Sequence, residues 1–405
     1  MSAETTISAR AVSERTAQWA SVALGASIPV STALDNVLLA LVLAGWLFAG
    51  GYRKTLRFVG RSRAAIAALV LYGLLLAGTL YGERDSGDAA RNLIKYMNLL
   101  FIPIFAELLS EPALRRLALR SFAISLLVVL TLSYAIAAGV PFPQWIVVGN
   151  VDNPAVFKQY LTQNILLAFG AYLFIEFAFA ASTTTQRAFW TAAAVVPAVN
   201  VLLLVQGRTG HIVLILLTLY AAYGWRRWRG LAIAAVSIIV LVAALVQLPG
   251  VFQQRYGLAT GEEASSQASR WAHGSNKQRL DFYRASLAII QEHPLIGVGT
   301  GGFPRAYAQQ TRGTDAFQTR NPHNEYLNIG VQLGVVGLGA LLYLFFEHWR
   351  DSTRLASPME SRLSGGLLLA IAVACLFNSM LLDHTEGLFY AWLTGVLFSG
   401  LESKA

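Results

Sequence analysis

Long apolar runs constrain this chain more than any other feature. Segments of roughly 17–25 apolar residues recur along it with only short charged connectors between them, the length an α-helix needs to cross a bilayer. Only 13% of the 405 residues are charged, 55% are hydrophobic, and the mean hydropathy is +0.52. A soluble chain of this size carries about twice that charge fraction. The pattern predicts an all-α polytopic membrane protein of about 12 transmembrane helices. They are expected near 17–31, 35–51, 63–82, 92–109, 118–139, 158–181, 187–205, 209–225, 230–247, 324–348, 362–382 and 386–401. The chain then divides into a polar tail (1–16), transmembrane helices 1–9 (17–247), one long loop with short helices (248–323) and transmembrane helices 10–12 (324–405).

Charge alternates with the runs. Arg53, Lys54, Arg57, Arg61 and Arg63 fill one connector, and Arg115, Arg116 and Arg120 another. Two more hold Arg226, Arg227 and Arg229, and Arg350, Arg354 and Arg362. The connectors between them are acidic or neutral, with Asp35, Glu83, Asp85, Asp88, Asp152, Asp383 and Glu386. By the positive-inside rule both termini face the cytoplasm, and the long loop faces the periplasm of a Gram-negative cell. The net charge of +9 is thus a topology signal and implies no nucleic-acid partner. Residues 1–16 lack a cleavage pattern and read as a cytoplasmic tail. The one cysteine, Cys375, lies in an apolar run, which leaves neither a disulfide framework nor a cysteine metal site.

Within the long loop, 258–278 is polar and reads as mobile, 279–291 has helical periodicity, and Pro294 marks a stop. Gly297, Gly299 and Gly302 fit a GxGxxG expression, but no βαβ unit surrounds them. A tight turn that lets the chain dip towards the bilayer is the better reading. The loop ends in Asn321-Pro322-His323-Asn324-Glu325-Tyr326, at the mouth of the next apolar run. On one continuous helix His323, Gly330, Gly334 and Gly337 fall within about 60° of one another, a stripe that another helix can approach closely. Pro322 suits a first helical position, and the positive end of the helix dipole favours a neutral His323, the form a general base requires.

Arg208 sits in Gln206-Gly-Arg-Thr-Gly-His211, between two apolar runs too close for a free loop. An anchoring arginine usually faces the cytoplasm, and this one is expected outside, which favours a cation for phosphate or pyrophosphate. His211 reads as a satisfied bundle histidine. Arg279 and Arg284 open the loop helix about 140° apart, so they cannot both face one small ligand; Arg279 shares a face with Tyr283. Lys95 and Lys158 read as snorkelling side chains, and Asp383 and His384 as ordinary loop polarity. No His/Asp/Glu cluster has metal-ligand spacing and no Ser-His-Asp order can be defended. A neutral histidine and outward arginines suit one reaction class, in which arginines neutralise a lipid pyrophosphate leaving group and the base deprotonates an attacking hydroxyl.

On these residues the chain resembles the O-antigen ligase family, within the group that also holds O-antigen polymerases and protein O-oligosaccharyltransferases. The resemblance rests on His323-Asn324 followed by Gly334-Val-Val-Gly337, on Arg279-x-x-x-Tyr283 with His293-Pro-Leu-Ile-Gly-Val-Gly299, and on Gly207-Arg-Thr-Gly210. Tyr283 stands where tryptophan is common. The resemblance implies a GT-C-like glycosyltransferase, without metal or cofactor, that moves O-antigen from undecaprenyl pyrophosphate to a sugar hydroxyl of lipid A–core at the periplasmic face of the inner membrane. It implies His323 as base, Arg208 and Arg279 as pyrophosphate ligands with Arg284 secondary, and Asn324, Tyr283, Gly334 and Gly337 as supports. A polymerase would use a second lipid-linked glycan as acceptor, and a protein glycosyltransferase a Ser/Thr hydroxyl. A transporter of an anion, the reading from another class, should carry charges near the bilayer midplane.

Overall fold

The computed structural model describes residues 3–82, 86–247 and 267–401. Helices cover the apolar runs, but the first starts at Ala3, inside the segment read as a polar tail, and the span expected near 92–109 is divided among Ser86–Tyr96, Met97–Phe101 and Ile102–Leu108. Among the described residues no strand occurs, only isolated bridges such as Val147 with Val156. The helices are α1 (Ala3–Ser27), α2 (Thr32–Ala49), α3 (Tyr52–Val59), α4 (Arg63–Gly78), α5 (Ser86–Tyr96), α6 (Ile102–Leu108), α7 (Pro112–Ala137) and α8 (Tyr160–Ala180). They continue with α9 (Thr184–Val199), α10 (Arg208–Gln247), α11 (Gln267–Glu292), α12 (Phe303–Gln310), α13 (Glu325–Ser352), α14 (Pro358–Ala374) and α15 (His384–Phe398). Five helices of the described residues are long and apolar enough to cross a membrane on length and composition, and α3 with α4, bent by 99°, make a sixth if counted as one span. The predicted boundary between two spans near 226–229 is a break inside α10, where Arg226 and Arg227 leave helical geometry.

The four basic connectors converge on one end of the bundle. Arg354 donates to the Arg61 carbonyl at 2.9 Å, and the Ser62 hydroxyl to Asp351 at 2.8 Å. Arg115 pairs with Glu360 at 2.9 Å, Arg362 pairs with Glu176 at 2.8 Å, and Gly224 lies against Arg362. At the other end Lys158 and Asp35 form an ion pair at 3.5 Å, and Lys158 also donates to Thr32 and Thr385. Lys158 is 7% exposed and does not snorkel. Its ammonium reaches inward to a buried carboxylate on α2 because that partner offsets the cost of desolvation.

Two expectations for the loop are corrected. α11 begins at Gln267, twelve residues before the apolar periodicity starts, because its first turns are polar and carry no hydrophobic signal; 258–266 of the segment read as mobile lies outside the described residues. α13 is not one continuous helix. Gly334 adopts φ 61°, ψ −154°, a region open essentially to glycine alone, and breaks it. The turn after α11 is laid across that break. Val298 and Gly299 donate to the carbonyls of Val331 and Gln332, both at 2.9 Å, while Val335 and Val336 donate to those of Pro294 and Leu295. The orphan groups of two helix ends are thus satisfied by an irregular segment whose Gly297, Gly299 and Thr300 are buried while Pro294, Leu295 and Ile296 stay exposed. The small-residue stripe therefore does not receive another span. Gly330 faces Ile290 of α11, Gly334 faces Leu295 and Ile296, and Gly337 meets its own helix at Leu333.

Candidate functional site

Pro322 does not open α13. The helix begins at Glu325 and is capped by Asn324, whose side chain accepts from the Leu327 N–H at 3.0 Å. His323 stands just outside, with a left-handed backbone (φ 53°) that β-carbon sterics disfavour. Three contacts hold it there. Its N–H donates to Asn321 Oδ1 at 2.7 Å, its ring stacks on Phe282 of α11 at 5.9 Å, and its carbonyl accepts from the Tyr283 hydroxyl at 3.3 Å. Tyr283 also donates to the Leu376 carbonyl at 3.0 Å, as does Asn324 Nδ2, and the Glu325 N–H donates to the Cys375 carbonyl at 2.8 Å. The carbonyls left open where α14 ends are thereby used to seat the histidine segment. Tyr283 is a clamp between two backbones, and burial raises its phenol above the ordinary range.

The imidazole is oriented by residues that sequence reasoning did not single out. His323 Nδ1 lies 2.9 Å from Asn378 Oδ1, and Asn378 Nδ2 donates to Asp383 Oδ2 at 2.7 Å. An ionised carboxylate only accepts, so Asp383 fixes which way the Asn378 amide points. The amide oxygen then faces Nδ1, which must be the protonated nitrogen. Nε2 carries the lone pair and takes no hydrogen bond among the described residues. Burial is the largest influence on Asp383 and raises its carboxyl; the Lys95 ammonium pulls it back down. Asp383 is therefore tied to His323 through Asn378 rather than being ordinary loop polarity.

Arg279 shares the face of α11 that carries Tyr283, and its charge is felt at that phenol. Arg284 does not converge on His323. It lines an open cleft on the far side of the helix. Arg208 opens α10 at the same end of the bundle, where Gly207 and Gly210 are packed so tightly on Asn164 of α8 that a β-carbon at either would overlap it. Asn164 donates to the Val205 and Gly207 carbonyls, and Thr162, on the same turn, donates to Glu386 at 2.6 Å, three residues beyond Asp383. His211 contacts the Gly207 carbonyl at 2.7 Å through Nδ1, the packing arrangement expected of a bundle histidine. Glu325 points inward to Tyr96 and the Leu381 N–H. Among the described residues no group of three His, Cys, Asp or Glu side chains is placed to hold a metal ion. The arrangement offers an oriented imidazole at the end of the bundle that also carries a half-buried Arg279 and an exposed Arg208.

Residues 193–342 match the family model described as O-antigen ligase. The chain is 24% identical over 312 residues to a protein of Haemophilus influenzae described as uncharacterised, covering 72% of this chain and 73% of that one. It is similar to a chain of a solved structure described as "Structural coordination of polymerization and crosslinking by a peptidoglycan synthase complex", at a TM-score of 0.46 and 16% identity, covering 84% of this chain and 96% of that one.

Proposed function

We propose that the chain, whose residues 193–342 match the O-antigen ligase family, transfers O-antigen from undecaprenyl pyrophosphate to a sugar hydroxyl of lipid A–core. The observation that carries this reading is the His323–Asn378–Asp383 chain, which leaves Nε2 as a free acceptor at the rim of the bundle. The acceptor hydroxyl gives its proton to Nε2 as its oxygen bonds to the anomeric carbon. The anomeric C–O bond to pyrophosphate breaks, and the lipid pyrophosphate leaves with the electron pair. Arg279 and Arg208 pair with its charge, so the leaving group needs little acid assistance and the reaction neither metal nor nucleotide. The same proposal includes a GT-C-like arrangement of about twelve spans in the inner membrane, with both termini cytoplasmic and the site periplasmic. Convergence of the four basic connectors at the end opposite His323 supports that orientation.

The test is lipopolysaccharide banding in a strain lacking this protein, complemented with wild type or His323→Ala. Loss of long chains on core, with lipid-linked polymer still accumulating and no rescue by a normally inserted His323→Ala, is the expected result. Lipid-linked chains reduced to single repeats would assign the polymerase activity instead, and unaltered lipopolysaccharide with loss of protein glycans a protein glycosyltransferase. Full rescue by His323→Ala would remove the base from the mechanism.

A further inference from the structure

The side of α11 turned away from His323 lines a cleft of about 630 Å³ that the transfer chemistry above does not use. Gln278, Asp281 and Arg284 form one wall, and Thr314, Asp315 and Phe317, from the segment after α12, form the other. At 100° per residue Asp281 lies roughly 160° around the helix from Arg279, so the helix, about 10–12 Å across, separates this cleft from the reacting centre. We propose that the cleft is a distal glycan subsite, holding sugar residues several units away from the bond being made.

The side-chain chemistry selects that ligand class. Lys277 and Arg284 balance Asp281 and Asp315, so the walls carry no net charge and the carboxylates would repel a pyrophosphate. This is also why Arg284 belongs here and not with Arg279. A pyranose presents neighbouring hydroxyls, each donor and acceptor, which match planar two-pronged carboxylate, amide and guanidinium groups and threonine hydroxyls. It also presents an apolar C–H face, and Phe317 stands 62% exposed at the rim to cover one. Four charged side chains, Lys277, Asp281, Arg284 and Asp315, set among apolar lining atoms suit a ligand with both polar and apolar faces, and two carboxylates balanced by two cations do not make a cation site. The site is also firmly built. Phe282, Ala285 and Ile289 on α11 pack with Phe303 and Tyr307 on α12 in a small core of their own, and the buried Tyr307 hydroxyl has no hydrogen-bond partner among the described residues.

This inference rests on the transferase reading, and binding and transfer are measured separately so that either can fail alone. Two probes are used on the detergent-purified full chain: polysaccharide released by mild acid from the host strain's lipopolysaccharide, and the core oligosaccharide released with it. Saturation-transfer NMR and titration should show saturable binding to wild type and equally to His323→Ala. Phe317→Ala and the Asp281→Asn, Asp315→Asn double variant, all surface changes, should weaken it by roughly tenfold or more, as for the loss of charge-assisted hydrogen bonds or of a stacked ring. Competition by the polysaccharide assigns the cleft to the donor, and competition by the core oligosaccharide to the acceptor. In transfer assays the same variants should raise KM for long-chain donors at unchanged kcat and leave single-repeat donors alone. No saturable binding of either probe to wild type, or equal binding by the variants, overturns the proposal, whatever the transfer assay shows.

Discussion

At the residue scale the proposed chemistry depends on the tautomer of His323. Asp383 accepts from the Asn378 amide and, through it, orients His323, while burial raises its carboxyl above the ordinary range. The sign of the linkage follows. A carboxyl raised in the folded state adds stability below its unfolded value of about 3.9 and loses that contribution as pH rises through the folded value. The group therefore contributes less stability at neutral pH than in acid. Asp383→Asn should keep or increase thermal stability in detergent at neutral pH, while kcat falls by roughly tenfold or more at unchanged KM, because the amide no longer dictates the Asn378 orientation. A merely structural Asp383 would give the reverse, lower stability and normal kcat per folded molecule. Arg279 and Arg208 make a second test. Arg→Lys keeps the charge but loses the planar fork and should leave partial activity, whereas Arg→Ala should cost about one to two powers of ten in transfer rate. Rates are normalised to folded protein, and normal rates in both alanine variants would release both arginines from the donor site.

At the element scale the break in α13 explains why the histidine–glycine pattern exists. Gly334 is not a smooth surface for a neighbouring helix; it is where α13 stops and the 294–301 turn is stitched in. A β-carbon there would meet the Leu295 carbonyl group at 2.4 Å, on top of a backbone region closed to other residues. Gly334→Ala should therefore destabilise the protein by roughly 2–4 kcal/mol and loosen the loop that carries Phe282 and Tyr283. At Gly330 the added carbon meets only the flexible end of Ile290, so Gly330→Ala should be near neutral; thermal unfolding of the two variants in detergent compares them directly. Equal melting temperatures would mean that the turn does not depend on the break. The helices themselves were legible because apolar run length reports a bilayer-crossing element without tertiary information. Gly334 was singled out for the right position and the wrong reason, since helical periodicity assumes a continuity that this residue ends. Asn378, Asp383 and Lys158 were not legible: His323 meets Asn378 across 55 residues, and no periodicity or short spacing encodes such a contact.

At the scale of the whole molecule, charge is sorted along the bundle axis, and this makes orientation testable without reference to catalysis. One end gathers the basic connectors, three of the four with carboxylate or carbonyl partners, while the other gathers His323, Asp383, the buried Lys158–Asp35 pair and the loop. If the arginine-rich end faces the cytoplasm, that sorting both sets the topology and leaves Arg279 and Arg208 outside, where a lipid-linked donor arrives. The chain offers a clean background for labelling, since its one cysteine, Cys375, is 0% exposed. Single cysteines are introduced at exposed positions, Val151→Cys and Gln318→Cys at the site end, Ser182→Cys and Thr353→Cys at the basic end. A membrane-impermeant maleimide applied to cells with a permeabilised outer membrane should modify the first two and spare the second two until the inner membrane is opened. The opposite pattern would put His323 in the cytoplasm, and with it would fall any reaction that draws on a donor and acceptor displayed at the periplasmic face.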